Sequence, residues 1–281
     1  MELTRFEDVH LFYAEAEAYL VANEAHHNLL LGLCARLVEQ PEDYTEQPPY
    51  FAVVRAQGQI VAAALMTPPR NLLLARTRLD VALGWIASDL QAFSAPSGVL
   101  GAKPDSLMFA RAWQERTGQP YRLVTAECVY ELDRVVPPQL VPGRLREVTA
   151  ADRDVLVDWF HAFSREALHE DDREGSKRSV DRRLRSAMTS DFFWEDGEPV
   201  SLTGVFRGTP NGARIGPVYT PPEYRGRGYA SACVAAASQR MLDEGRRFCF
   251  LFTDLSNPTS NHIYQEIGYR PVVDMDEYRF G

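Results

Sequence analysis

Two hydrophobic periods alternate along this chain, one near ~3.6 residues and one near ~2, and their order is written twice. In the first half, the longer period predicts helices over residues 9–20 and 25–37. The shorter one predicts strands over 50–54 and 59–66, with a third over 71–75. A further helix, a strand at 98–101, a helix through Phe109 and Trp113, and a strand over 122–132 complete that series. Pro137, Pro138, Pro142 and Gly143 then crowd into residues 136–143, a stretch that suits neither helix nor strand and reads as a linker. Beyond it, 145–148 predicts a short strand, and Thr149 with Asp152 predicts the cap of a helix through Trp159 and Phe163. Residues 213–220 read as a strand, Pro221, Pro222, Glu223 and Tyr224 turn the chain out of it, and Ala230, Val234, Ala237 and Met241 recur at helical spacing. The apolar run 248–252 and a pair of strands at 269–273 and 277–280 close the chain. A hairpin at 58–62 ahead of Pro68 and Pro69 echoes another at 197–201 ahead of Pro210. The expectation is an α/β (α+β) protein of two similarly built domains, residues 1–138 and 139–281.

Chemistry enters at the strand-to-helix turn of the second half, Arg225-Gly226-Arg227-Gly228-Tyr229-Ala230. Glycines let backbone approach a ligand closely, and the free amides and positive dipole end of the next helix attract phosphate oxygens. An anion, and in this context a pyrophosphate, is the expected guest. A nucleoside-triphosphate loop needs Gly-Lys-Ser/Thr at its end, which this turn lacks. A dinucleotide fingerprint needs a third glycine where Ser231 stands and an early βαβ position, although Asp243 and Glu244 sit near the place of a ribose-binding acid.

The third reading rests on a resemblance. Arg225, Gly228 and Ala230 match the Arg/Gln-x-x-Gly-x-Gly/Ala signature of the GNAT acetyltransferase superfamily, and Asn257 followed by Tyr264 resembles that family's second recurring element. From about residue 144 to the C-terminus the resemblance spans a whole GNAT domain. It implies a mixed, mostly antiparallel sheet flanked by helices, acetyl-CoA as cosubstrate and no metal. It also implies that the amides of Gly226, Arg227, Gly228, Tyr229, Ala230 and Ser231 bind the pyrophosphate, with Arg225 and Arg227 as further phosphate partners. Backbone of Val218, Tyr219 and Thr220 would hold the pantetheine and polarise the acetyl oxygen, Asn257 would bind the pantetheine arm or order a water, and Tyr264 would protonate the leaving thiolate. Residues 76–81 of the first half have no glycine where such a cradle should lie, so that half is expected to be a degenerate GNAT-like copy without cofactor binding, the alternative being an unrelated α/β domain.

The general base has no motif behind it. Asp254 and Glu195 near strand ends, and His161, Glu166, His169 and Glu170 in the helical region, are the titratable candidates, with an ordered water as another. Glu170 to Glu174 reads as an exposed acidic loop. A net charge of -9 disfavours a general nucleic-acid binder and favours cationic small-molecule or peptide amines as acceptors. Cys34, Cys128, Cys233 and Cys249 lack metal-ligand spacing and read as reduced core thiols. No signal-like N-terminus or membrane-length apolar run occurs, so a cytoplasmic protein with no membrane partner is expected. The resulting expectation is an N-acetyltransferase acting on a primary amine. The alternative is a non-catalytic acyl-CoA-binding or regulatory protein, for which a group at the sulfur such as Tyr264 has no purpose.

Overall fold

A computed structural model describes residues 1–44 and 47–281. The chain divides into two compact units that are not successive halves. Met1–Tyr130 forms the first together with Phe252–Asn257 and Pro271–Gly281, and Glu131–Leu251 forms the second together with Pro258–Arg270.

In chain order the first series is β1 (Glu2–Phe6), α1 (Val9–Val21), α2 (Glu24–Glu39), β2 (Tyr50–Ala56), β3 (Gln59–Met66), β4 (Leu72–Leu74), α3 (Val81–Phe93), β5 (Gly98–Ala102), α4 (Lys103–Thr117) and β6 (Tyr121–Leu132). β1 to β4 pair successively antiparallel, and β5 lies parallel to β4. Tyr50, Ala52 and Val54 of β2 face one core with α3 and α4. Phe51 and Val53 face another with α1 and α2. Both faces of the sheet are therefore covered, which is why β2 and β3 read as continuous apolar runs. β1 was missed by periodicity because its five residues include no fully buried one.

The second series is β7 (Arg144–Glu147), α5 (Arg153–Phe163), α6 (Arg173–Arg185), β8 (Thr189–Asp196), β9 (Glu198–Phe206), β10 (Gly212–Tyr219), α7 (Tyr229–Asp243), β11 (Phe248–Asp254), α8 (Pro258–Glu266) and β12 (Arg270–Phe280). β7 to β10 again pair successively antiparallel, and β11 lies parallel to β10. The ladder of the first unit is thus repeated in order and direction, and each unit has the expected mixed, mostly antiparallel sheet with flanking helices. The capping box predicted from Thr149 and Asp152 is formed, one helical turn ahead of α5.

Two expectations change. The chain does not close with two strands: residues 270–280 form the single strand β12, which pairs antiparallel with β5 from Met275–Ala102 to Arg279–Gly98 and so counts with the first unit. Nothing between Val273 and Glu277 supplies a glycine or proline to turn the chain. The acidic run at 170–174 is a loop only to Asp172, whose carboxylate accepts the Gly175 amide and caps α6. Periodicity could not find α6 because charge holds it in place. Arg183 on α6 is buried and grips buried Asp191 of β8 through Nε at 2.9 Å and Nη2 at 2.7 Å. The pair lies against Gly204 of β9, where a Cβ would stand 2.7 Å from both the Arg183 guanidinium and the Gly216 carbonyl oxygen.

Removing one partner of such a buried pair strands the other charge. Asp191→Ala is expected to destabilise the protein by about 3–5 kcal/mol in denaturant unfolding, while Asp181→Ala, at an exposed pair, shifts the midpoint far less. In the first unit, His27 Nε2 accepts the Arg76 amide at 3.0 Å, so its proton sits on Nδ1 and donates to the Leu20 carbonyl at 2.8 Å. Burial, opposed by that carbonyl, holds the imidazole at about 4, below its ordinary 6.5. As pH falls from 6.5 toward 4 the unfolded chain binds the proton first, so His27 withdraws up to about 3 kcal/mol across that window. Hydrogen exchange at the Arg76 amide should accelerate over the same range, and a His27→Gln variant should lose that pH dependence.

Candidate functional site

β10 keeps a strand partner to its C-terminal end on one side only. Its parallel ladder with β11 comprises Gly212–Phe248, Ala213–Cys249 and Arg214–Phe250, after which β10 runs on for five residues to Tyr219. On the other side, pairing with β9 jumps from Ile215–Val205 to Val218–Thr203, so Gly216 and Pro217 oppose Gly204 alone. One extra residue in β10 makes a bulge, which bends and twists the strand. Beyond it lie Val218, Tyr219 and Thr220, where the thioester-holding backbone was expected. The Ser201 hydroxyl meets the Thr220 hydroxyl at 2.8 Å and steadies that end.

Pro222–Tyr224 makes a short turn after β10, and the cradle follows. Gly226 has φ 73° and Gly228 has φ 82°, values that only glycine adopts without strain. Gly228 is the N-cap of α7 and brings no side chain to the first-turn amides, leaving those of Tyr229, Ala230 and Ser231 for a guest or solvent. Gly226 to Gly228 are exposed, and a Cβ on Gly226 would meet nothing within 4 Å. A Cβ on Gly228 would approach Val141 to 3.0 Å, so that glycine answers to packing as well as to φ.

The side chains of the signature are more committed than their sequence implied. Arg225 donates through Nε to the Thr220 carbonyl at 2.8 Å and through Nη2 to Glu166 at 2.6 Å, and its guanidinium stands 5.8 Å from the Tyr219 ring. It ties the end of β10 to the π-helical turn Ser164–Leu168. Arg227 lies over the Tyr224 ring at 5.9 Å. Tyr229 is buried, and its hydroxyl donates to Asp196 at 2.6 Å, so only its backbone faces the cradle.

Tyr264 lies on α8, buried edge-on to Tyr269 at 6.1 Å. Its hydroxyl has no hydrogen-bond partner among the described residues, and burial alone pushes its phenol up to about 12. Tyr269, by contrast, shares a 2.8 Å hydrogen bond with Ser238. Asn257 is counted with the first unit, its amide donating to the Asp254 carbonyl at 3.0 Å.

Of the acid–base candidates, Glu195 is held by Arg144 at 3.2 Å and Arg146 at 3.1 Å. His161 pairs through Nε2 with Asp171 at 3.2 Å, while its buried Nδ1 has no partner among the described residues. Glu166 is the candidate that reaches β10, accepting from the Tyr219 hydroxyl at 3.4 Å as well as from Arg225. That carboxylate and the burial of Tyr219 raise the Tyr219 phenol, burial being the larger cause. Beside Tyr219 a groove of 410 Å³ opens between α5 and the turn after β10, with Trp159, Tyr224, Glu198 and Glu223 in its wall. Sequence reasoning passed over these four as helix, hairpin and turn residues. The double-proline turn was the available signal for a rigid rim. No group of three or more metal-ligating side chains occurs among the described residues.

Residues 153–269 match the model of the acetyltransferase (GNAT) family. No curated protein matches the sequence. Among solved structures, a Drosophila protein is similar at 13% identity and TM-score 0.68, over 99% of this chain and 98% of that one. A GCN5-related N-acetyltransferase from Sphaerobacter thermophilus is similar at 18% identity and TM-score 0.61, over 99% and 95%. A tandem GNAT protein from the clavulanic acid biosynthesis pathway is similar at 14% identity and TM-score 0.57, over 89% and 87%. At these identities the likeness is one of fold.

Removing a hydroxyl that makes no internal hydrogen bond forfeits none. Tyr264→Phe is therefore expected to leave the denaturation midpoint unchanged within about 0.5 kcal/mol, whereas Tyr269→Phe, which strands the Ser238 hydroxyl, should cost about 1–3 kcal/mol.

Proposed function

We propose that this chain, whose residues 153–269 form a domain of the acetyltransferase (GNAT) family, moves the acetyl group of acetyl-CoA to a primary amine by direct attack of that amine on the thioester. The observation that carries this reading is the end of β10, free of β11 beyond Arg214 and leading through a two-glycine turn into the uncapped start of α7. Amides from Gly226 to Ser231 bind the pyrophosphate. Backbone of Val218 to Thr220 aligns the pantetheine and polarises the acetyl oxygen. Asn257 is assigned to the pantetheine arm by its place in the motif.

In the transfer step the amine nitrogen bonds to the acetyl carbon, the carbon–sulfur bond breaks, and the nitrogen loses a proton while sulfur gains one. Tyr264 supplies the donor at sulfur. Its hydroxyl has no competing acceptor among the described residues. Its phenol at about 12 lies above an alkyl thiol near ~8.5, so Tyr264 stabilises the developing charge by donating a hydrogen bond, and the proton that sulfur finally holds is balanced by the one the amine releases to solvent. Arg225 acts by holding Thr220 and Glu166 together at the acceptor side of the strand.

The first unit serves as a degenerate copy. In the turn between β4 and α3 the Arg76 amide is taken by His27 and the Thr77 amide by the buried Asp105 carboxylate at 2.9 Å. An internal anion therefore occupies the place of an external one, and one donor site per chain is expected.

Calorimetric titration of the intact chain should give one acetyl-CoA per chain, and a value of two would show that the first unit binds it as well. With an acceptor amine, Tyr264→Phe should lower turnover roughly 10²-fold or more while acetyl-CoA affinity changes little, since the lost bond forms only as charge develops on sulfur. Unchanged turnover would remove Tyr264 from the mechanism. An equal loss of affinity would place its hydroxyl in ground-state binding and favour the non-catalytic alternative.

A further inference from the structure

The groove beside Tyr219 is lined by Trp159, Tyr219, Tyr224, Glu198 and Glu223, with Val155 and three prolines filling the rest and no basic side chain contributing. Its two carboxylates differ from five others of this unit. Asp152, Glu166, Asp181, Asp191 and Glu195 each hold an arginine within 3.1 Å. Neither Glu198 nor Glu223 has an ion-pair partner among the described residues. Glu198 is positioned by the Tyr224 hydroxyl, which donates to it at 2.8 Å. Trp159 and Tyr219 meet at 6.0 Å with their planes inclined by 59°, giving the groove an angled aromatic wall. Arg225 and Arg227 already lie over the Tyr219 and Tyr224 rings, at 5.8 and 5.9 Å, and Trp159 with the two carboxylates free of ion pairs favours a further cation, the aromatic contribution growing as the cation sheds water.

The amine that attacks a thioester must be neutral when it does so, because its lone pair forms the new bond. Carboxylates that stay paired with the reacting nitrogen favour its protonated form and oppose attack. Their pull favours transfer when it falls on a second charge elsewhere on the same molecule. Tyr219 joins the two places, since it walls the groove and ends the strand on which the thioester is proposed to lie. Resting on the acyl-transfer reading, we propose that this groove is the acceptor subsite and that it selects amines bearing a second positive charge, with Trp159, Glu198 and Glu223 as the residues that set this preference.

The test uses the full-length protein and its Glu198→Gln/Glu223→Gln double variant, both changes being at exposed positions. Calorimetry with tetramethylammonium, with 2,2-dimethylpropan-1-ol as its neutral counterpart and with glutarate as an anion, reads the groove without chemistry. Tetramethylammonium should bind, the alcohol and glutarate should not, and the double variant should bind the cation at least about tenfold more weakly, with acetyl-CoA affinity unchanged. In turnover, the KM for 1,4-diaminobutane should rise by a similar factor in the double variant, while the KM for butylamine, which has no second charge, should stay constant. Binding of the alcohol as tightly as the cation, retention of cation affinity in the double variant, or equal KM changes for the two amines would overturn the proposal. Acetyl-CoA is titrated separately. Cation binding without acetyl-CoA binding would sink the acyl-transfer reading and leave a cation groove. Acetyl-CoA binding without cation binding would sink the groove alone.

Discussion

The second unit depends on β10 keeping a hydrogen-bonded partner on one side while giving up its partner on the other. A strand inside a sheet ordinarily satisfies its backbone on both edges, and leaving one edge open is costly unless something else fills it. The bulge at Gly216 and Pro217 turns the strand at the point where its ladder with β11 has ended, and Arg183 with Asp191 sits directly behind Gly204 opposite that bulge. A buried ion pair is an expensive backing for a strand, since desolvation consumes most of its Coulomb energy. Here it fixes α6 to β8 at one place, where an apolar contact would permit sliding. The open end of β10 leads from that point through the turn at Pro222–Tyr224 into the cradle.

The two units make the same ladder and differ at the turn that follows its fourth strand. After β4, the backbone amides of Arg76 and Thr77 are met by His27 and Asp105 from the unit's own helices. After β10, two glycines with positive φ and an uncapped helix leave the corresponding groups outward. Backbone donors must be satisfied in both cases. One unit satisfies them internally at the cost of burying a carboxylate, whose pKa burial raises. The other leaves the task to solvent or a ligand. A duplicated fold thus separates into a half whose turn is closed and a half whose turn is open without any change in strand order.

Charge is distributed on the same principle. Arg225, Arg144, Arg146, Arg153 and Arg183 are all engaged with carboxylates of the second unit, so the arginine of the phosphate signature is a brace between Thr220 and Glu166. Backbone amides, which carry no net charge and cannot be neutralised by a neighbouring acid, are left as the groups that face the cradle.

Local signals decided a great deal. Most elements of both series, the proline linker, the capping box at Thr149 and Asp152, and the glycine turn before α7 were legible, because each depends on residues within a few positions of one another. The chain left α6 illegible because an ion pair rather than an apolar stripe holds it, and β1 because its residues are mostly exposed. Only the tertiary structure decided that β12 pairs with β5, that Arg225 is taken by Glu166, that the Tyr264 hydroxyl is left without an acceptor among the described residues, and that Trp159, Glu198 and Glu223 share one groove. Each of these joins positions far apart in the chain, and periodicity carries no information about which distant edge, charge or cavity a residue will meet once the elements pack.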